Sequence, residues 1–495
     1  MENVEKLNYF ILKNEKKILF AVLLLAAISI FILALNVDNQ WAQDSHWYMS
    51  LAKNLASGEG YTLDRETPFA QYPPGFPLLL MSFLYLFKDI QISGLILVGM
   101  FSILTLLIIY KIGKLFSPLV GLLSVTLLMT HNLFIFNTVS IMTEIPFMFF
   151  SLLGLYLFIK GFENPKYFIS AFPVIAFSCL VRYAGFFLIF PMLFYTFVNF
   201  KKLKRLIFSD KVIIGIILGL VVFFGWFLRN FLTFGNPFYT SYSEIVHEIT
   251  FQGFLTFIRL FFKLGFLFPY VVLIGIFFVI KSKDKKLQMF LIWFVVYFIM
   301  HASWWGGGVF RFYAGILPII CVFSAIGISK IGGEFNSKDK KTIFALLILG
   351  IIILSQLFIF FSGAINYETT IKTLNRYDSI QQISQFANEN FPKDSIYLVP
   401  DIAVYSMYLP KENMFYYGGG INNLLQNPQL KDKTFIFADT LHSWMTQPFL
   451  EGENGTITLP LNSGQSLILQ TGLVHQEEYK DHYTILLNVT NFGVM

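Results

Sequence analysis

Long runs of apolar residues alternate with short polar loops along residues 1–362. Each run approaches the roughly 20 apolar residues that an α-helix needs to cross the hydrocarbon core of a bilayer. The pattern therefore predicts an all-α polytopic membrane domain with about eleven transmembrane helices. Their expected positions are 18–36, 92–110, 117–130, 145–160, 167–181, 185–200, 212–228, 265–280, 287–301, 312–329 and 343–362.

The pattern changes over residues 363–495, where no further long apolar run occurs. In "DSIQQISQFANENFP", the spacing of Ile380, Ile383 and Phe386 predicts one face of a helix that stops at Pro392. Short runs typical of strands follow, because they are rich in β-branched and aromatic residues: "SIYLVP", "TFIFAD", "TITLP", "LILQ" and "YTILLNV". We therefore expect a small α/β domain after the membrane domain.

The composition supports a membrane protein rather than a soluble one. Of the 495 residues, 56% are hydrophobic and only 13% are charged, about half the usual charged share of a soluble domain. The formal net charge of +6 does not indicate nucleic-acid binding, since most charges lie in the short loops between apolar runs. Cys179 and Cys321 both fall inside predicted spans and indicate neither a disulfide framework nor a metal cluster.

Lysine is concentrated in alternate loops, which predicts the orientation of the chain. One set of loops is rich in lysine and arginine, as in "KKLKRLIFSDK" and "KSKDKK", whereas the other set holds few basic residues. Basic loops remain cytoplasmic, so we expect a cytoplasmic N-terminus and, after an odd number of spans, an extracytoplasmic C-terminal domain. The first span lacks a small-residue cleavage pattern and is expected to be a retained anchor.

Polar residues that are suited to chemistry collect in the predicted outer loops, beginning with "DSHWYMSLAKNLASGEGYT" at residues 44–62. Asp44 and Tyr48 share one face of a predicted helix, which Gly58 and Gly60 would end. Asp44 is either the N-cap of this helix or a carboxylate placed at the membrane surface for function. The next segment, "QYPPGFPLLL", predicts a second helix whose first turn holds prolines. We expect residues 37–76 to form interfacial helices that roof a cavity.

Three further charged residues stand in otherwise apolar surroundings. Arg182 in "CLVRYAG" is either a snorkelling anchor or the partner of an acid or a phosphate. Arg311 follows "WWGGGVF", where glycines would admit a ligand close to the backbone and arginine can grip phosphate oxygens, although the segment also fits a flexible loop. Glu144 in "MTEIPF" fits a helix start, since acids favour helix N-termini.

These segments resemble a known class of enzymes. "DSHWYMSLAKNLASGEGYT" followed by "YPPGFPLLL" is similar to the opening of the GT-C glycosyltransferases, which use polyprenyl-phosphate-linked sugars. The nearest branch resembles glycosyltransferase family 39, which contains protein mannosyltransferase and aminoarabinose transferase relatives. "VSIMTEIPFMFF", "LVRYAGFF" and "WWGGGVFRFYAGILP" extend the resemblance over roughly residues 1–330.

The resemblance implies roles for particular residues. In that family an acid just after the first span is the catalytic base, and Asp44 occupies this position here. Many protein mannosyltransferases carry two adjacent acids there, whereas Ser45 follows Asp44, which argues against that subgroup. Arg182 and Arg311 would bind the donor phosphate. The residues expected to support the cavity are Glu144, His46, Tyr48, Tyr72 and Arg229, with His247, Glu248 and His301 as further contacts for the acceptor.

The resemblance also implies partners and a reaction. The donor would be a polyprenyl-phosphate sugar lying in the lipid, and the acceptor a protein, lipid or polysaccharide on the non-cytoplasmic face; no nucleic acid is expected. Asp44 would take the proton of an acceptor hydroxyl as its oxygen attacks the anomeric carbon, which inverts that centre. A divalent cation is left open as a cofactor, because no short spacing of metal ligands occurs.

Two other functions fit parts of the pattern. A transporter or flippase of lipid-linked saccharides would place polar residues along the middle of its spans. A structural or receptor-like protein would bind through its extracytoplasmic domain. The bunching of polar residues at one predicted surface favours the transferase over both.

Overall fold

The computed structural model of the chain describes most of the membrane domain and parts of the C-terminal region. The described residues are 13–35, 43–63, 68–206, 208–240, 251–302, 310–331, 347–357, 380–399, 405, 409, 414–416, 434–442, 455–460, 466–479 and 482–494.

The described chain is mostly helical. We label its helices α1 to α17 in chain order: Glu15–Leu35, Gln43–Ser57, Gly75–Phe87, Ile90–Lys114, Pro118–Thr130, Asn132–Asn137, Glu144–Gly161, Phe168–Val181, Ile189–Val198, Phe200–Leu206, Asp210–Phe234, Phe251–Phe262, Phe268–Lys281, Lys285–Ala302, Leu317–Ile331, Leu347–Leu357 and 380–390. Three 3₁₀ segments accompany them, at Pro165–Tyr167, Tyr183–Leu188 and Phe310–Ile316. The chain is a multi-pass membrane protein.

Each of the eleven predicted spans overlaps an apolar helix of the described residues, although only six helices in those ranges are long and apolar enough to cross a membrane alone. Two more apolar helices lie in predicted outer segments. One is α3, whose proline-rich start was expected. The other is α12, which lies in a segment where the apolar pattern predicts a long outer loop. Gln252, Thr256 and Arg259 lower the mean hydropathy of α12, so its apolar face of Phe257 and Phe261 did not register as a span.

The long helices carry lysine at one end and the sparse polar residues at the other. Helix α7 begins with Glu144 and ends beside Lys160, and 18 residues of helix separate these ends by about 27 Å. At the lysine-rich end, Lys160 Nζ and Lys286 Nζ lie 2.7 and 3.2 Å from the Glu163 carboxylate. The Lys160 ammonium, which donates to Glu163, lowers the pKa of that carboxyl. Lysine side chains are thus gathered at one end of the bundle, as the loop pattern predicted.

Glycine allows some helices to pack at backbone distance. A Cβ on Gly275 of α13 would overlap the Phe323 carbonyl group of α15, and a Cβ on Gly327 of α15 would lie 2.5 Å from the Val271 oxygen of α13. Each glycine faces the backbone of the other helix, so α13 and α15 approach at backbone distance at both positions. Small residues permit this close approach of helices within a membrane.

We expect Gly275→Ala to destabilise the membrane domain. The added methyl group meets rigid backbone, and overpacking of this kind costs about 1–3 kcal/mol. The matched control is Gly225→Ala in α11, because a Cβ at Gly225 has no heavy atom within 4 Å. The measurement is the midpoint of thermal aggregation in detergent. Equal midpoints for the two variants would contradict the proposed contact.

Contacts between Cα atoms divide the chain into two compact units. The first contains residues 1–37 and 69–365, and the second contains residues 38–68 and 366–495. Helix α2 therefore belongs to the same unit as the C-terminal region. The bounds 1–362 and 363–495 drawn from the sequence remain a prediction.

The second unit contains a six-stranded mixed sheet in the order β2-β1-β3-β6-β5-β4. Its strands β1 to β6 are Ile396–Val399, Met414–Tyr416, Phe435–His442, Gly455–Pro460, Ser466–Tyr479 and His482–Val494. Strand β1 pairs in parallel with β2 and β3, and the remaining pairs are antiparallel. Ile380 and Ile383 of α17 are buried in the core with Tyr397 and Val399. The predicted helix and strand runs coincide with described elements, whereas β2 was missed.

Candidate active site

The Arg182 side chain is held by an acid and a hydroxyl from a neighbouring helix. Helix α8 ends at Val181, and Arg182 follows in an extended conformation with φ −147° and ψ 136°. This turn directs the guanidinium to the start of α7, where Nη1 donates to Glu144 Oε1 at 2.6 Å and to Thr143 Oγ1 at 3.0 Å. Acid pairing was one of the alternatives that the sequence left open for Arg182.

Glu144 is the buried member of this ion pair. Its side chain is 3% exposed, compared with 19% for Arg182. Glu144 begins α7, with Pro146 in the first turn as expected, and the positive end of the helix dipole favours its charge. Its second oxygen, Oε2, is buried without a hydrogen-bond partner among the described residues. A buried charge is tolerated when it is paired, so Arg182 stabilises this carboxylate in place.

Arg311 lies beside the same corner of the bundle. Its Nη1 is 4.0 Å from the sulfur of Met142, two residues before Glu144. We refer to Met142, Thr143, Glu144, Arg182 and Arg311 as the arginine cluster. It brings together two guanidinium groups and one carboxylate from three separate parts of the chain, all at the end away from the lysine-rich loops.

The start of α3 lies against the same turn that presents Arg182. A Cβ on Gly75 would lie 2.5 Å from the Leu180 oxygen, so only glycine lets the helix approach the end of α8 this closely. The Tyr183 hydroxyl also donates to the Ala70 oxygen at 3.3 Å. Tyr72 lies within this segment, buried with its ring edge-to-face on Phe69. The proline-rich entry to α3 thus supports the turn at Arg182.

Asp44 lies in the first turn of α2, in the second compact unit. The helix begins at Gln43, so Asp44 is inside it rather than at its N-cap, and its side chain is partly exposed. His46 and Tyr48, 0% and 5% exposed, are enclosed by protein. Gly58 follows the last helical residue with φ +81°, which confirms the predicted end of the helix. The role of Asp44 as base remains a prediction.

The remaining residues that the sequence predicts for the site are not part of the arginine cluster. Arg229 donates to the Asn230 side chain at 2.9 Å and lies over the rings of Trp226 and Phe234. His301, proposed as an acceptor contact, is only 4% exposed and stacks on Tyr297. His247 and Glu248 lie outside the described residues.

Thr143 is a contact of Arg182 that the sequence does not predict, although its position beside Glu144 is a signal. For metals, the structure brings together no group of three His, Cys, Asp or Glu side chains within the ranges that it describes.

Part of the chain is similar in sequence to known proteins. The profile of the Dolichyl-phosphate-mannose-protein mannosyltransferase family matches residues 71–228, which include Glu144 and Arg182 but neither Asp44 nor Arg311. An uncharacterised protein of Aquifex aeolicus is 26% identical over 295 residues, covering 57% of this chain and 58% of its own length. The match therefore spans little more than half of that relative.

Two solved structures share the fold. ArnT from Cupriavidus metallidurans, bound to undecaprenyl phosphate, superposes with a TM-score of 0.67 at 10% identity, covering 94% of this chain and 97% of ArnT. The chain has the GT-C fold. The GT-C oligosaccharyltransferase of Archaeoglobus fulgidus, tethered to an acceptor peptide, has a TM-score of 0.52 at 13% identity and covers 90% of this chain and 73% of its own. The fold that the sequence motifs implied is thereby confirmed.

Proposed function

We propose that this GT-C protein is an integral-membrane glycosyltransferase that moves a sugar from a polyprenyl-phosphate donor to an acceptor on the non-cytoplasmic face. Asp44 is the catalytic base, and Arg182 and Arg311 bind the donor phosphate. The observation that carries the proposal is the arginine cluster at the end of the bundle opposite the lysines. The ArnT structure of the same fold holds undecaprenyl phosphate, a ligand of the proposed chemical class.

The cluster suits a phosphate at the membrane surface. A guanidinium group carries five N–H donors in a planar fork, so Arg182 can be held by Glu144 and still bind phosphate oxygens. Arg311 adds a second cation close to the same corner. A lipid-linked phosphate lies at headgroup depth with its polyprenyl tail in hydrocarbon, which matches charged groups at the ends of long apolar helices.

The reaction is a direct displacement. The acceptor oxygen attacks the anomeric carbon and forms the new glycosidic bond, while the bond from that carbon to the phosphate oxygen breaks. The electron pair of the broken bond leaves on the polyprenyl phosphate, whose charge the two arginines stabilise. Asp44 takes the acceptor proton, and the anomeric centre inverts.

The charge asymmetry of the bundle supports the proposed side. Lysine-rich loops stay cytoplasmic, so the arginine cluster would face the opposite compartment. An acceptor protein, lipid or polysaccharide would then meet the donor outside the cell membrane. The described helices carry few charges along their middle. This fits transfer at that face, because a transporter of lipid-linked saccharides would require a polar path through the spans.

A comparison of glycolipids and glycoconjugates with and without the gene tests the function. We expect loss of the gene to cause a sugar-charged polyprenyl phosphate to accumulate and one glycan modification to disappear, as measured by mass spectrometry. The donor identified in this way is then given, with cell extract as acceptor, to the purified protein in detergent. Detergent removes the two compartments, so a transferase still converts the donor to polyprenyl phosphate, whereas a flippase leaves it unchanged. An unconverted donor would overturn the proposal.

A further inference from the structure

Four aromatic rings form a column behind the arginine cluster. Phe147 of α7 stacks on Tyr297 of α14 with ring centroids 6.2 Å apart, and Tyr297 stacks on His301 at 4.0 Å. His301 in turn contacts the ring of Phe312, with centroids 4.8 Å apart. Phe312 belongs to the 3₁₀ segment Phe310–Ile316, so the column joins three separate elements of the fold.

One end of the column lies beside the residue that anchors Arg182, and the other end contacts Arg311. Phe147 lies one turn after Glu144, the residue that holds Arg182. At the other end, Phe312 follows Arg311 directly, and its ring centroid lies 6.0 Å from the Arg311 guanidinium carbon. The column therefore runs from the anchor of one guanidinium group to the flank of the other.

The centre of the column is tightly enclosed. Tyr297 and His301 are 1% and 4% exposed. Trp293 packs its ring edge-to-face against Tyr297 at 5.2 Å, and Gly315 leaves the space that the Tyr297 hydroxyl occupies. His301 Nδ1 lies 3.1 Å from the Tyr297 carbonyl oxygen, which only accepts, so Nδ1 donates its proton there and the imidazole plane is fixed.

We propose that His301 is a positioning residue for the donor-phosphate site. As the third ring of the column, it holds Phe312 and thereby sets where Arg311 stands relative to Arg182. This inference rests on the proposed function, in which both arginines bind one phosphate. Two cations grip a single phosphate well only if their spacing is fixed, and a small misplacement of such groups is costly. His301 thus acts through Arg311 rather than on the substrate.

Binding of undecaprenyl phosphate to the full-length protein in nanodiscs tests the inference. We expect His301→Ala to weaken this affinity by roughly tenfold, because the ring contacts with Tyr297 and Phe312 are lost. His301→Phe keeps a ring in the column and should bind within about threefold of the wild type. In an Arg311→Gln background, adding His301→Ala should change the affinity by less than about twofold, since the group that His301 positions is already gone.

A matched control comes from the same helix. Phe294 lies one turn before Phe298, packs against it and against Phe323, and takes no part in the column. Phe294→Ala should lower the thermal stability without a change in affinity for undecaprenyl phosphate. The control separates a loss of general packing in α14 from a loss of the arrangement at Arg311.

The outcomes are distinct. If the wild-type protein does not bind undecaprenyl phosphate, the proposed function fails and this inference fails with it. If the wild type binds and His301→Ala binds equally well, or its effect adds fully to that of Arg311→Gln, only the positioning role is overturned. A His301→Phe variant as weak as His301→Ala also overturns it. Should His301→Ala fail to fold, Phe312→Leu replaces it in the same cycle with the same expected coupling.

Discussion

Asp44→Asn is expected to slow sugar transfer by at least a hundredfold while the protein still folds and inserts into the membrane. Asparagine preserves the shape of the side chain but cannot accept the proton of the acceptor hydroxyl. General-base catalysis contributes about 10²–10⁴-fold to such reactions, so the transfer rate should fall by that factor. The measurement is the rate of polyprenyl phosphate release by purified protein at saturating donor, with the affinity for undecaprenyl phosphate measured in parallel and expected to be unchanged.

A second aspartate provides the matched control for this experiment. Asp89 is the N-cap of α4, where its Oδ1 accepts from the backbone N–H groups of Gln91 and Ile92 at 2.8 Å. Asparagine caps helices about as well as aspartate, so Asp89→Asn should leave both stability and transfer intact. A normal transfer rate for Asp44→Asn would remove Asp44 from the mechanism.

Arg182→Gln should reduce both donor binding and stability. Glutamine offers no positive charge to the phosphate, and it leaves the Glu144 carboxylate buried without its partner. Removing one member of a buried ion pair costs about 3–5 kcal/mol. The readouts are the affinity for undecaprenyl phosphate and the midpoint of thermal unfolding in detergent.

The double variant Arg182→Gln with Glu144→Gln separates the two effects. It removes the unpaired charge, so we expect most of the stability to return while donor binding stays lost. Lys160→Gln provides the comparison at the other end of the bundle, because its pair with Glu163 is more exposed and such pairs contribute less than about 1 kcal/mol. If the double variant recovered donor binding, Arg182 would not be a phosphate ligand.

The helices of the membrane domain were predictable because burial in lipid demands a simple pattern. A span must be apolar along its whole length and must satisfy its backbone internally, so hydropathy alone identified the runs that became α1, α4 and α11. The same criterion failed at α12, where one face is polar. An amphipathic helix is defined by which of its faces packs against protein. The mean hydropathy of a segment does not contain that information.

The site was predictable as a set of residues but not as an arrangement. Arg182, Arg311 and Glu144 stood out because ionised groups are rare and costly near spans. Their neighbours did not stand out. Thr143 contributes only a hydroxyl, and His301 resembled an exposed contact until its ring was found enclosed against Tyr297. Such roles depend on packing partners from distant elements, and the spacing of residues along the chain does not encode them locally.

The sequence by itself determined that this chain is a membrane protein, where its helices run, and which end of the bundle carries lysine. It could do so because hydropathy and charge act on each segment independently. Only the tertiary structure decided that Glu144 holds Arg182 across 38 positions of the chain, and that aromatic rings from three elements lead from the helix of Glu144 to Arg311. Ion pairs and ring stacking need atoms within a few ångströms of each other. The folding of the helices against one another brings those atoms together, and no single segment specifies it.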